Sequence, residues 1–144
     1  MGISMSVNDK DFADKMKKRI KLLEKNVNRA VFKSTNLIKN DAVESILRGA
    51  KTGETYTKYR PRRTHQASAA GEAPASDTGF LASNITMEVN RNNFGAVGTV
   101  ISSSPYSAAL EFGTTKMAAR PFLQPALSRN VRKIKKIFIE EELW

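Results

Sequence analysis

Apolar residues recur at intervals of three, four or seven along the first third of the chain: Phe12, Met16, Ile20, Leu23, Val27, Val31, Ile38 and Ala42. That spacing places one apolar face on a helix. No Gly or Pro interrupts residues 8–48. Asn8 and Asp9, with Asp11 and Asp14 following, suit a helix start, because carboxylates favour the positive end of the helix dipole. One long helix over 8–48 is predicted, with Gly49 as its C′ residue. A break near Ser34–Asn36, where the stripe weakens, is the alternative. Lys15, Lys17, Lys18, Lys21, Lys25 and Arg29 fall mostly on the other faces, and residues 1–7 read as a loose leader.

The pattern then disappears. Residues 50–78 are dominated by Gly, Ala, Ser, Thr and Pro with no period of 2 or 3.6, and read as one long basic loop. Loops beyond about 12–15 residues are uncommon in compact domains unless they bind something or are disordered. Asp77-Thr78 is placed to cap a short turn or helix through Phe80 and Leu81. Ile85, Met87 and Val89 alternate with Thr86, Glu88 and Asn90, the period of a half-buried strand. A turn at Asn92-Asn93 and a returning strand over 96–102 complete a β-hairpin spanning 84–102. A lone hairpin is marginal, so further short strands within the preceding loop are also open. Residues 106–112 read as a short helix closed by Gly113. Residues 121–142 read as the last helix, with Pro121 near its first position and an apolar stripe of Leu123, Leu127, Val131, Ile134 and Phe138. The Glu140–Glu142 run opposes the dipole, so that end is expected to fray or to meet a basic partner. These elements predict a single α+β domain over 1–144: a long N-terminal helix, a small antiparallel sheet around the hairpin, and a C-terminal helix packed on the sheet.

Composition narrows the function. The 144 residues carry 24 Lys+Arg against 14 Asp+Glu, a net charge of +10. The excess lies in residues 1–50 (11 bases, 6 acids), 51–78 (5 and 3) and 120–144 (6 and 3), while residues 79–119 balance at 2 and 2. A polyanionic partner is one explanation; solvated lysine-rich helix faces are the other. The absence of Cys excludes disulfides, thiolate metal sites and Cys nucleophiles. With His65 as the single histidine, multi-histidine metal sites are excluded too. No stretch approaches the roughly 20 apolar residues of a membrane span, and no apolar signal core opens the chain, so a product made in the cytosol is expected.

Catalytic motifs are not evident. The stretch RGAKTGET resembles a phosphate loop only loosely, because Ala50 stands where the glycine before Lys-Thr is needed. Paired carboxylates would have to come from the separated Glu54, Glu72, Glu88 and Glu111, and Glu111, amid apolar residues, reads as a paired structural group. No enzyme activity, metal or cofactor is expected. The strongest binding feature is Lys58, Arg60, Arg62 and Arg63 interleaved with Tyr56 and Tyr59. Guanidinium groups pair with phosphates and rings stack on bases, but the same set suits docking on an acidic protein face.

Two stretches resemble a known family. Tyr106, Glu111, Phe112, Gly113, Thr114, Ala119, Arg120, Pro121, Phe122 and Leu123 follow, in order, the pattern of a Tyr, an acid-aromatic-Gly-Thr turn and Ala-Arg-Pro-Phe-Leu leading into a last helix. Upstream, Tyr56, His65, Ala67, Ser68, Gly71, Glu72, Pro74, Asp77, Thr78, Gly79 and Leu81 match a loop of the same family, with Ala70 and Ala73 standing where prolines are common. Together these are similar to the neck or tail-completion proteins of long-tailed bacteriophages, also described as minor tail components. The resemblance implies a structural virion protein of the head–tail connector, a sixfold ring of its own copies contacting neighbouring connector and tail proteins. DNA would pass through the ring without specific binding, and no membrane would be involved. It implies localisation at the head–tail junction after synthesis in the host cytoplasm. Tyr56, Lys58, Tyr59, Arg60, Arg62 and Arg63 are then candidates for inter-subunit or neighbouring-ring contact. Tyr106, Glu111, Phe112, Gly113, Thr114, Arg120, Pro121 and Phe122 form a structural turn, with Glu111 and Arg120 expected to pair across it or Arg120 to reach a neighbouring subunit. The alternative is a nucleic-acid-binding protein using the basic helix and the Tyr/Arg-rich loop.

Overall fold

The structure is a computed structural model that describes residues 9–92 and 95–143. The leader at 1–7, Asn8, the turn residue Asn93 and Trp144 lie outside the described residues. The fold is α+β. Helix α1 runs unbroken through Asp9–Arg48, 40 residues and about 60 Å, with no interruption at Ser34–Asn36. Strands β1 (Thr55–Tyr59) and β2 (Arg62–Gln66) follow, then a single-turn helix α2 (Phe80–Ser83), strands β3 (Ile85–Asn92) and β4 (Gly95–Ser102), a short helix α3 (Ser107–Phe112), and helix α4 (Leu123–Glu140).

Two separate two-stranded antiparallel sheets form, β1–β2 and β3–β4. The second is the hairpin read from alternation, with Ile85 opposite Ser102 and Val89 opposite Gly98. The first corrects the single long loop expected over 50–78. Tyr59 pairs with Arg62, Lys58 with Arg63 and Tyr56 with His65, and Arg60 and Pro61, joined by a cis peptide bond, reverse the chain. Gly53 N–H donates to the Ala67 carbonyl (3.0 Å) and Ala67 N–H to the Glu54 carbonyl (2.9 Å), extending this ladder at its base. Helix α4 also begins later than expected. Leu123 is its first residue and Phe122 its N-cap, which puts Pro121 outside the helix and Pro125 in its first turn.

The C-terminal half of α1 is the spine of the domain. The β3–β4 hairpin and α2 pack against it, and α4 runs along it. The core comprises Ala42, Ile46, Leu81, Ala82, Ile85, Phe122 and Ala126, with Ile38, Val43, Ala73, Val100, Leu110 and Leu123 against it. Strand β4 crosses α1 so closely that a Cβ on Gly98 would lie 1.8 Å from Thr35 Oγ1. Polar links hold α4 to α1 at its middle and just past its end. Asp41 Oδ2 accepts from Arg129 Nη2 (3.0 Å) and from the buried Asn130 Nδ2 (2.9 Å). Glu141, just past α4, accepts from Arg29 Nη1 (3.1 Å) and Lys33 Nζ (2.5 Å). The basic partner of Glu141 therefore lies within the chain. Those donors, Lys33 first, hold the Glu141 carboxyl below its ordinary range.

Candidate functional site

The corner between α3 and α4 is built around one carboxylate. A helix opens with four backbone positions that lack intrahelical acceptors. In α4 these are Phe122, Leu123, Gln124 and Pro125. Glu111 Oε2 accepts the N–H groups of Phe122 (2.8 Å) and Leu123 (3.0 Å), and Oε1 accepts that of Gln124 (2.8 Å). The fourth position is Pro125, which has no N–H to satisfy. A negative group here also complements the helix dipole.

The expected Glu111–Arg120 pairing does not form, because the carboxylate is fully engaged by the α4 backbone. Arg120 Nε instead donates to the Ser68 carbonyl (3.1 Å), and Arg120 N–H to the Leu110 carbonyl (2.7 Å). Gly71 N–H reaches the Ala119 carbonyl (2.9 Å), so the segment after β2 is stitched to the corner rather than swinging free. Gly113 has φ 77° and ψ −179°, a region in which only glycine is comfortable. A Cβ there would meet Ala119 N and Met117 O at 2.9 Å. Thr114 and Met117 close the turn by exchanging backbone hydrogen bonds of 2.8 and 3.3 Å. Phe122 is buried in the core, Phe112 is 80 % exposed, and the Tyr106 ring lies 6.2 Å from that of Phe80.

The six candidates around the first hairpin divide by strand alternation. Tyr56, Lys58, Arg63 and His65 share one face, since opposed residues of an antiparallel pair point the same way. On that face Lys58 and Arg63 both form ion pairs with Asp77. The Lys58 ammonium also sits 5.8 Å from the centre of the Tyr56 ring, which meets the His65 ring edge-on at 5.3 Å. The Lys58 hydrogen bond, with the Arg63 and Lys58 charges, keeps the Asp77 carboxyl below its ordinary range. Of the Asp77-Thr78 pair expected to cap α2, Asp77 is instead the anchor of the hairpin. Thr78 Oγ1 does accept from Phe80 N–H (3.4 Å), beside the N-cap residue Gly79. Tyr59 (78 % exposed), Arg60 and Arg62 remain at the tip and outer face, and among the described residues neither arginine forms an ion pair. Lys58 and Arg63 are thus separated in role from Tyr59, Arg60 and Arg62.

At the base of the hairpin, Glu72 accepts from Thr52 Oγ1 (2.5 Å), Thr52 N–H (3.0 Å) and Ala69 N–H (2.9 Å). The Thr52 hydroxyl leads these donors in lowering its pKa. Lys51 Nζ donates to the Ser45 and Ala73 carbonyls (3.0 and 2.6 Å), and its partial burial lowers its pKa. The Thr52–Glu72 and Lys51–Ala73 links were invisible in sequence because they join residues 20 and 22 apart, whose proximity depends on the hairpin closing.

Between α1, β4, α3 and the start of α4 lies an open groove of about 580 Å³, lined by Ile38, Val100, Ala108 and Leu123 with Phe112 and Leu127 at hand. Its lining is mostly apolar, and Glu111, the carboxylate beside it, is committed to capping α4. Among the described residues no three His, Cys, Asp or Glu side chains gather closely enough to hold a metal ion, and no helix is long and apolar enough to cross a membrane. Comparison with protein-family models, with curated proteins and with solved structures found no match.

Proposed function

We propose that this protein is a structural component of a bacteriophage head–tail connector, a neck or tail-completion protein that works as a ring of its own copies and performs no turnover. The observation that carries the reading is the corner. The residues on which the family resemblance rests, Tyr106 to Leu123, close into one hydrogen-bonded unit in which Glu111 caps α4 and Gly113 permits the reversal. The second matching stretch docks onto it through Ser68–Arg120 and Gly71–Ala119. Every polar group of this unit named above serves backbone geometry.

In this reading the tip of the first hairpin, Tyr59, Arg60 and Arg62, reaches a neighbouring ring with an acidic face, because a permanent grip on DNA would oppose its passage. The nucleic-acid alternative loses two of its candidate cations, since Lys58 and Arg63 are paired with Asp77. Salt-graded affinity of the isolated protein for duplex DNA would favour that alternative.

The test is location. Particles purified from producing cells that carry the tagged protein are examined by gold labelling in electron microscopy. Label at the head–tail junction is the expected result. Unlabelled particles from cells rich in the protein would overturn the proposal.

A further inference from the structure

The second sheet has an open edge beside the groove. In the β3–β4 hairpin Ile85 lies opposite Ser102 and Val89 opposite Gly98. Just past it, Ser103 N–H donates to the Asn84 carbonyl (3.0 Å). Hydrogen-bonded and non-bonded pairs alternate along an antiparallel ladder, so Gly98, Val100 and Ser102 turn their N–H and C=O groups away from β3. Among the described residues these groups meet one partner, the Ser107 hydroxyl, 3.4 Å from the Ser102 carbonyl. Such an edge is a template for one more strand.

The groove gives that strand an apolar bed. Gly98, Val100 and Ser102 line it from β4, Leu123 and Leu127 from α4, and Ile38 from α1. Its volume of about 580 Å³ falls within the roughly 300–1,000 Å³ of ligand-binding clefts. Glu111 is committed to the α4 backbone, so the groove offers no free charge to an occupant.

The first residues of the chain match these demands. Met1, Ile3, Met5 and Val7 alternate with Gly2, Ser4 and Ser6, the period of a strand with one apolar face and one small, polar face. None of the seven side chains is charged, in a protein of net charge +10.

The segment cannot reach the groove of its own copy. It precedes Asp9, and Thr35, the first groove residue of α1, stands about 39 Å farther along the continuous helix. Residues 1–8 span at most about 29 Å when fully extended. The stretch of α1 from Lys10 to Lys25, exposed throughout, is an arm of about 24 Å that carries the segment toward other copies.

We infer that residues 1–7 of one copy add as a third strand to the β4 edge of another, with Ile3, Met5 and Val7 in the groove and Ser4 and Ser6 outward. Main-chain hydrogen bonds to the edge hold the strand, and the apolar bed selects it. Helix α3 lines the groove with Ser107 and Ala108, directly after β4, and closes the Ser102 end. The incoming chain therefore leaves past Gly95, and the added strand runs antiparallel to β4. Reciprocal exchange gives a dimer, and onward exchange a ring or chain. This goes beyond the connector reading and does not depend on it, since the exchange is open to the free protein and is tested on it.

The experiment is sedimentation velocity of the full chain over a wide range of concentration, with circular dichroism as the check on folding. Amide exchange read by NMR follows β4 in the same samples. The expected species has at least twice the 16.0 kDa chain mass. On association the N–H groups of Gly98, Val100 and Ser102 become protected, while those of Thr99 and Ile101, already facing β3, change less. I3S/M5S weakens association by about 100-fold or more, from the loss of two groove side chains in each contact. S4T/S6T changes it by less than about threefold, because those positions face outward. Leu127→Glu, at a residue 48 % exposed in the free chain, weakens it by about tenfold or more from the groove side. A monomer at every concentration, association that survives I3S/M5S, an equal effect of S4T/S6T, or an oligomer in which Gly98, Val100 and Ser102 still exchange freely would each overturn the inference. None of these results bears on where the protein sits in a particle, so the connector reading stands or falls separately.

Discussion

Glu111 and Pro125 between them account for all four backbone positions that open α4. The carboxylate takes the N–H groups of Phe122, Leu123 and Gln124, and the proline presents none. A carboxylate eleven to thirteen residues upstream thus does what a local N-cap side chain does in most helices. Glu111→Ala is expected to destabilise the protein by about 2–4 kcal/mol, and Glu111→Gln by about half that, because the amide keeps one acceptor oxygen. Urea denaturation measures both, and an unchanged midpoint for Glu111→Ala would contradict the assignment.

Gly113 carries a backbone that other residues adopt only under strain, with no room for a side chain. Gly113→Ala should cost about 2 kcal/mol, and Gly113→Val more. The expected signature is a lowered thermal midpoint in both, with the valine variant lower.

The contact of Gly98 with Thr35 predicts coupling. Gly98→Ala forces β4 away from α1 and should cost about 2 kcal/mol. Thr35→Ala removes the atom that stands closest, so T35A/G98A should be more stable than the sum of the single effects implies, by about 1 kcal/mol. Additive effects would mean that the strand is free to shift.

Acid should release the first hairpin through Asp77. Its carboxyl pKa is lower in the folded protein than in the unfolded chain, so in the intervening window the unfolded chain binds more protons and stability rises with pH. The contribution is complete above the ordinary carboxylate value of about 4 and is lost as pH falls through the lowered folded value. Asp77→Asn should remove this component, seen as faster amide exchange in β1 and β2 near neutral pH and a shallower loss of protection on acidification.

Arg60→Glu with Arg62→Glu separates assembly from folding. Both side chains are exposed at the hairpin tip, so the denaturation midpoint should shift by less than about 0.5 kcal/mol in free energy, while the connector role proposed above requires that head–tail joining in producing cells be lost. Neutralising Lys58 and Arg63 as well would mix the two effects, because those cations hold Asp77.

Elements defined by a local period were legible in the residues. The stripe from Phe12 to Ala42 reads as α1, the alternation from Ile85 to Val89 as β3, and Gly113 as the end of α3. The hairpin of β1 and β2 was not legible, because Thr55–Tyr59 and Arg62–Gln66 are exposed at nearly every position and leave no apolar alternation to see. The candidate cations were found as a cluster, but their division into anchors and free groups depends on Asp77, fourteen to nineteen residues away. Glu111 was recognised as a structural group, yet its expected partner was a charged side chain. The open helix end competes better for it, offering three donors already fixed in place.

The unbroken course of α1 from arm to core makes the protein sensitive to phase. Each residue advances the helix by about 1.5 Å and turns it by about 100°. One residue inserted between Val27 and Ala30 would therefore leave the arm intact yet swing Ile20 and Leu23 away from their present bearing relative to the β3–β4 hairpin. Insertions of seven would nearly restore that bearing while setting the arm about one heptad farther out. Length changes in this helix should thus be tolerated by rotation rather than by number, and a series of one to seven added alanines would read out that periodicity directly.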